Sequence, residues 1–269
     1  MKKVIAIFGM PRSGTSFLGQ VIDSCPEIAY RLEPIFSYKL KNLVDENSSR
    51  EEFIDFFEKA FKSNEDEFMN QFEKRQKGYY PTFENKQPIY LGFKTTRFHN
   101  ILPTLMEHFS DEELKIISLV RHPCGAIYSW INHPKEFPQN LNYRDEWRSG
   151  NCRKTAKEEF WGFNDWIKVM NQHIELEKKY KNFKIFQYEN IIYTIEEEVK
   201  KIYDFAKLSY TEQTKRFLKE SQCKNIEDPY AVYKDKSVTS KWKKHLDLDI
   251  QKEIIKEIKD TQLEKFLVE

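Results

Sequence analysis

Residues 4–34 read VIAIFGMPRSGTSFLGQVIDSCPEIAYRLEP. Val4 to Phe8 is an apolar, mostly β-branched run of strand length. Gly9 to Ser16 (GMPRSGTS) interrupts it with two glycines and a proline, after which Phe17, Leu18, Val21 and Ile22 recur at helical spacing. A strand, a tight loop and a helix N-terminus in succession aim backbone N–H groups and the positive end of the helix dipole at one point. That is how a phosphate or similar anion is held. The opening stretch therefore predicts an anion site at the end of a buried strand.

The pattern repeats outward from it. Ile28 to Leu32 reads as a short strand ending on Glu33-Pro34. Ile89 to Phe93 runs into Lys94-Thr95-Thr96-Arg97, Lys115 to Val120 ends on Arg121-His122-Pro123, and Phe183 to Phe186 closes on Gln187-Tyr188. Helical patterns lie between: one ending near Phe109 despite Pro103, one over Cys124 to Trp130, one long helix from Arg153 to Tyr180, and others at 194–208, 211–221 and the C-terminus. Strands alternating with helices predict an α/β, three-layer fold with a central parallel sheet of four or five strands and ligands at their carboxyl ends. That edge receives Arg12, Lys94 and Arg121. Phe160, Trp161, Phe163 and Trp166 read as core.

At 269 residues and 39% hydrophobic content the chain can bury one large core, so a single domain over 1–269 is expected. Residues 35–77 read as a helical insertion with a solvated charged face, 133–152 as a mobile loop, and 223–245 as a polar closing segment. Lys plus Arg (44) nearly balances Asp plus Glu (43), which gives no support to a general nucleic-acid or membrane-surface binder and makes any basic site local. The four cysteines form no CxxC or Cys/His cluster, so neither a metal site nor a disulfide framework is signalled. The first apolar run is too short for a signal peptide or a membrane span, and a cytoplasmic location is expected.

Gly9 to Ser16 fits GxxxxGT[ST], a nucleotide-binding P-loop with Thr15 in place of the phosphate-binding lysine. The strand that should end in a Mg²⁺-holding acid ends in Arg121-His122 instead, which disfavours metal-assisted transfer from ATP. A sulfuryl group carries less negative charge than a terminal phosphoryl group, and Arg12, Lys94 and backbone N–H groups suit its transfer without a metal. Arg121, with Ser129 eight residues on, suits a second phosphate through a planar guanidinium fork and a hydroxyl.

With PRSGTS at 11–16, Lys94 after a strand, Arg121 and Ser129 in RHPCGAIYS, and Ser240-Lys241-Trp242, the chain resembles the sulfotransferases that use 3′-phosphoadenosine 5′-phosphosulfate (PAPS). The resemblance implies that Pro11, Arg12, Ser13, Gly14, Thr15 and Ser16 bind the 5′-phosphosulfate and that Arg121 and Ser129 bind the 3′-phosphate. It also implies that Tyr188 lies near the nucleotide and that Lys241 reaches a phosphate. The KTH of small-molecule members is KTT here, and the chain is closer in motif to tyrosylprotein sulfotransferases and their bacterial relatives. There a glutamate after the first helix is the base. Glu33 holds that place, with burial expected to raise its pKa, and Arg12 and Lys94 stabilise the transition state; a later arginine of that branch is replaced by His133. His99, read as a helix-surface residue, and His122, read as a helix starter, are the other candidate bases. The acceptor is expected to be a hydroxyl of a glycan, a lipid headgroup, a phenol or a tyrosine. A Mg²⁺-dependent kinase and a non-catalytic nucleotide-binding protein are the competing readings.

Overall fold

Every residue of Val4–Phe8 (β1) is fully buried, and its side chains alternate between two cores. Ile5 and Ile7 pack with Leu18, Val21 and Val199 on one side of the sheet. Val4, Ala6 and Phe8 pack with Phe53, Phe56 and Leu105 on the other. The computed structural model that shows this describes residues 3–84, 86–224, 226, 228, 231–233 and 236–267.

The other strands are β2 (Ile28–Leu32), β3 (Tyr90–Thr95), β4 (Leu114–Val120) and β5 (Phe183–Gln187). All five are parallel, in the order β2-β3-β1-β4-β5, with Val4 opposite Leu91 on one flank and Leu114 on the other. The chain leaves β1 toward β2, returns through β3, and crosses to β4. The order therefore reverses at β1, and the crevice beyond its carboxyl end is where an open parallel sheet binds ligands.

The helices are α1 (Thr15–Asp23), α2 (Arg50–Lys62), α3 (Glu67–Asn70), α4 (Phe72–Gln76), α5 (Leu102–His108), α6 (Pro123–Ile131), α7 (Tyr143–Glu146), α8 (Gly162–Lys179), α9 (Tyr188–Tyr193), α10 (Ile195–Ala206), α11 (Glu212–Cys223), α12 (Lys241–His245) and α13 (Leu248–Ile258). The insertion at 35–77 contains α2 to α4. Ser49 and Glu52 form a capping box at the start of α2. Buried Arg31 on β2 donates to the Ala60 and Phe61 carbonyls at its far end, satisfying acceptors that the helix leaves open. A third core joins Trp130 of α6, Trp166 of α8 and Ile250 and Ile254 of α13.

Several boundaries differ from the sequence reading. β3 extends to Thr95, so Lys94 lies within the strand rather than beyond it. Pro103 sits in the first turn of α5, where a missing N–H costs nothing. α8 begins at Gly162, nine residues after Arg153. Gly162 has φ +80°, and a Cβ there would lie 2.6 Å from the Arg148 carbonyl oxygen, so the chain must turn before the helix starts. The 133–152 loop contains α7 and buries Phe137 and Trp147 in the third core. α9 follows β5 directly, a helix that the sequence pattern did not suggest. Of the expected closing segment 223–245, residues 225, 227, 229, 230, 234 and 235 lie outside the described residues. Among the described residues no helix is long and apolar enough to cross a membrane.

Candidate active site

The loop between β1 and α1 is built for close approach. Gly14 has φ +92°, and a Cβ there would lie 2.4 Å from the Tyr188 ring. A Cβ on Gly9 would lie 2.6 Å from the Leu119 carbonyl oxygen. Arg12 itself is left-handed, with φ +68°, a conformation that non-glycine residues adopt at a cost. Gly14 caps α1 without a side-chain hydrogen bond, and the first turn contains no acid. Its N–H groups are thus left for an anion.

The arginines meet over this loop. Arg12 Nε donates to Ser129 Oγ at 3.3 Å, and Arg12 Nη1 lies 3.6 Å from Glu136 Oε2. Arg121 Nη1 donates to the Arg12 carbonyl at 3.0 Å and Nη2 to the Val238 carbonyl at 2.7 Å, with the guanidinium 5.0 Å over the Tyr188 ring. Ser13 Oγ and Arg121 Nε are buried and make no hydrogen bond among the described residues, so both retain donor capacity for an oxyanion. The glycine cradle, the open helix N-terminus and these two donors fit a bound phosphosulfate nucleotide.

Glu33 follows β2 in a left-handed conformation (φ +44°), fixed by its N–H donating to the Lys94 carbonyl at 2.9 Å. Its carboxylate is buried and crowded with donors. Lys94 Nζ (2.9 Å), Thr96 N–H (3.1 Å) and Thr96 Oγ1 (2.9 Å) donate to Oε1, Thr95 Oγ1 donates to Oε2 at 3.1 Å, and Arg97 Nη1 lies 3.5 Å from Oε2. Burial pushes the carboxyl pKa up, as expected, but the Lys94 and Arg97 charges with the Lys94 and Thr96 hydrogen bonds more than reverse it, to about 2. Glu33 is therefore ionised and able to take a proton.

The three histidines singled out from the sequence, His99, His122 and His133, occupy different settings. His99 is fully buried, not on a helix surface as its position suggested. It lies against Phe8 and Phe160, with Nδ1 3.1 Å from His173 Nε2, and burial holds its pKa down to about 3. His122 caps α6, its Nδ1 accepting from the Cys124 N–H at 3.2 Å, and stacks on Trp242 at 4.4 Å. Burial, then Lys243 and Arg121, lower its pKa to about 4. His133 is buried beyond α6, and its pKa is lowered first by burial and then by Arg12.

A cleft of about 500 Å³ lies over the carboxyl edge of the sheet. Every site residue expected from the sequence lines it except Ser13, which is buried. Lys241, the first residue of α12, reaches it from the C-terminal segment. The lining also includes residues to which the sequence reading gave no role: Arg97, Thr96, Lys74, Tyr80 and Arg153. Thr96 and Arg97 were signalled by their adjacency to Lys94 in KTTR. Lys74 and Arg153 belong to segments read as a solvated face and a long helix, and nothing local marked them.

A family model described as the sulfotransferase domain matches residues 2–266. No curated protein matches the chain in sequence. Among solved structures, the chain is similar to mouse sulfotransferase SULT7A1 complexed with PAP, at 14% identity and a TM-score of 0.59, covering 99% of this chain and 88% of that one. It is also similar to the sulfotransferase domain of the Synechococcus PCC 7002 olefin synthase, at 15% identity and a TM-score of 0.51, covering 97% of each. At these identities the likeness is one of fold. The family match spans nearly the whole sequence, and by it the chain belongs to the sulfotransferase domain family.

Proposed function

We propose that this chain, acting as one domain over 1–269, transfers a sulfuryl group from PAPS to a hydroxyl acceptor such as a glycan, a lipid headgroup, a phenol or a tyrosine. The donor supplies the sulfuryl group and leaves as adenosine 3′,5′-bisphosphate. The loop from Pro11 to Ser16, with the N–H groups of α1, holds the 5′-phosphosulfate, and Arg121 and Ser129 hold the 3′-phosphate. Tyr188 packs beside the nucleotide, and Lys241 closes on a phosphate.

Glu33 accepts the acceptor proton as the acceptor oxygen bonds to sulfur and the bond from sulfur to the bridging oxygen breaks. Lys94 and Arg12 meet the charge that develops on the bridging and transferred oxygens. A carboxylate with a pKa near 2 is a weak base. As Lys94 turns toward the negative charge of the donor, Glu33 loses its strongest partner and its basicity rises.

What supports this reading is that Glu33 and Lys94 are hydrogen-bonded in the same cleft that Arg12 and Arg121 line. Calorimetry with adenosine 3′,5′-bisphosphate, against ATP with Mg²⁺, tests donor binding, and transfer of label from PAPS to a phenol and glycan panel tests the reaction. Preference for ATP with Mg²⁺ would overturn it in favour of a kinase. Bisphosphate binding with no transfer to any acceptor would favour a non-catalytic protein.

A further inference from the structure

Three fully buried polar side chains take no part in the chemistry proposed above. Ser118 on β4, His173 on α8 and His99 in the turn after β3 come from separate parts of the chain and form one row of hydrogen bonds. Ser118 Oγ lies 2.7 Å from His173 Nδ1, and His173 Nε2 lies 3.1 Å from His99 Nδ1. The row ends at His99 Nε2, which is buried and makes no hydrogen bond of ordinary geometry among the described residues. Phe8, whose ring packs against His99 at 5.9 Å, is followed directly by Gly9, the first residue of the anion loop.

The row has one favoured direction. Burial holds the His99 pKa down to about 3 and the His173 pKa well below the usual 6.5, so each ring is neutral at pH 7 and carries one N–H. Against that burial, the Glu33 charge and then the Gly9 backbone raise the His99 pKa. A backbone group that favours the charged ring is a carbonyl, because a carbonyl accepts from N–H. With the proton on His99 Nε2 the Gly9 carbonyl meets a donor, His99 Nδ1 accepts from His173 Nε2–H, and His173 Nδ1 accepts from the Ser118 hydroxyl. With the opposite tautomers a ring lone pair would face the carbonyl oxygen in a buried setting, which is costly.

We propose that His99 is a positioning residue for the anion loop: it donates from Nε2 to the Gly9 carbonyl and is held in that tautomer by His173 and Ser118. A peptide unit is planar and trans, so fixing the Gly9 carbonyl also fixes the Met10 N–H on its opposite edge, and with it the plane from which the loop departs. The loop needs such support. Arg12, three residues on, is held at φ +68°, a conformation that persists only where the surrounding structure over-determines it. His99 does not line the cleft, so it acts through Gly9 rather than on the nucleotide. The proposal rests on the reading of this loop as the 5′-phosphosulfate site.

The first measurement uses the wild-type chain with ¹⁵N-labelled histidine at pH 7, and NMR reads the ring tautomers. His99 and His173 are expected as neutral Nε2–H forms, and an Nδ1–H form at His99 overturns the proposal. The second is calorimetry of adenosine 3′,5′-bisphosphate with wild type, His99→Gln and His99→Leu. Leucine fills similar space without a donor and should weaken binding about tenfold. Glutamine can donate from its amide nitrogen and accept from His173, and should stay within about threefold of the wild type. Wild-type affinity in His99→Leu, or equal weakening in both variants, overturns the proposal, because the ring would then serve packing alone. If His99→Leu does not fold, Ser118→Ala stands in. It should weaken bisphosphate binding and let the Nδ1–H form appear at His99, and wild-type tautomer and affinity in it overturn the proposal. If the wild type does not bind the bisphosphate, the donor reading fails, and the wild-type tautomer at His99 alone decides whether it donates to Gly9.

Discussion

Lys94 Nζ donates to Glu33 Oε1 at 2.9 Å, between side chains that are 9% and 5% exposed. The pair joins the residue proposed to take the acceptor proton to the one proposed to meet the leaving charge. Glu33→Gln keeps the shape and accepts from Thr96, but cannot take the proton. Turnover should fall by about 10²–10⁴-fold, the usual contribution of a positioned base, while calorimetry shows adenosine 3′,5′-bisphosphate binding as the wild type does. The variant should also be less stable by about 3 kcal/mol, since Lys94 is left buried without its counter-charge. Wild-type turnover in this variant would remove Glu33 as the base.

Stability should fall on mild acidification. His99, His122 and His173 are all buried, with pKa values held below the usual 6.5 chiefly by burial, to about 3 for His99 and about 4 for His122. A histidine whose folded pKa is depressed binds more protons when unfolded, so its stabilisation is complete above pH 6.5 and is lost as pH falls toward the folded value. Each contributes a slope of about 1.4 kcal/mol per pH unit below 6.5. Glu33, depressed from 4.5 to about 2, adds its own loss only below pH 4.5. Urea unfolding from pH 5 to 8 should show this slope, and His122→Asn, which can still cap α6, should lessen it by one histidine's share. An unchanged slope in that variant would contradict the assignment.

Much of the fold and of the cleft is legible in the amino-acid order, for a physical reason. The five strands are short, mostly apolar runs, and Lys94, Glu33 and Arg121 stand at or next to their carboxyl ends with Arg12 in the loop after β1, so all four can be assigned to one edge from chain order alone. What the sequence hides depends on long-range packing. His99 looks like a surface residue until Phe8, Phe160 and His173 close around it. The burial of Glu33 argues for a raised pKa, but its fall depends on Lys94 and Arg97 arriving from another strand and the loop after it. Arg153 reaches the cleft only because the helix read as starting there begins at Gly162 instead.

Gly14 faces the Tyr188 ring at a distance that no side chain can share. Gly14→Ala adds a Cβ 2.4 Å from that ring at φ +92°, so it combines backbone strain with a clash. A loss of about 1–3 kcal/mol in unfolding free energy is expected, together with strongly weakened adenosine 3′,5′-bisphosphate binding. Tyr188→Ala removes a buried ring and is costly in its own right, but Gly14→Ala should cost less in that background than in the wild type, because the clash is gone and only the strain remains. An equal cost of Gly14→Ala in both backgrounds would show that the ring contact is not the cause.

Arg121 is assigned to the 3′-phosphate, which makes a prediction about ligand discrimination rather than about overall affinity. Its guanidinium already donates to the Arg12 and Val238 carbonyls, and buried Nε makes no hydrogen bond among the described residues. Lysine keeps the charge but lacks the fork, so it cannot hold both carbonyls and a phosphate. Arg121→Lys should therefore weaken adenosine 3′,5′-bisphosphate by about tenfold or more while changing adenosine 5′-phosphosulfate, which lacks the 3′-phosphate, much less. Calorimetry of both nucleotides with wild type and variant measures the difference. Equal losses for the two would place Arg121 in support of the Arg12 loop rather than on the 3′-phosphate, because its bond to the Arg12 carbonyl would then be the contact that matters.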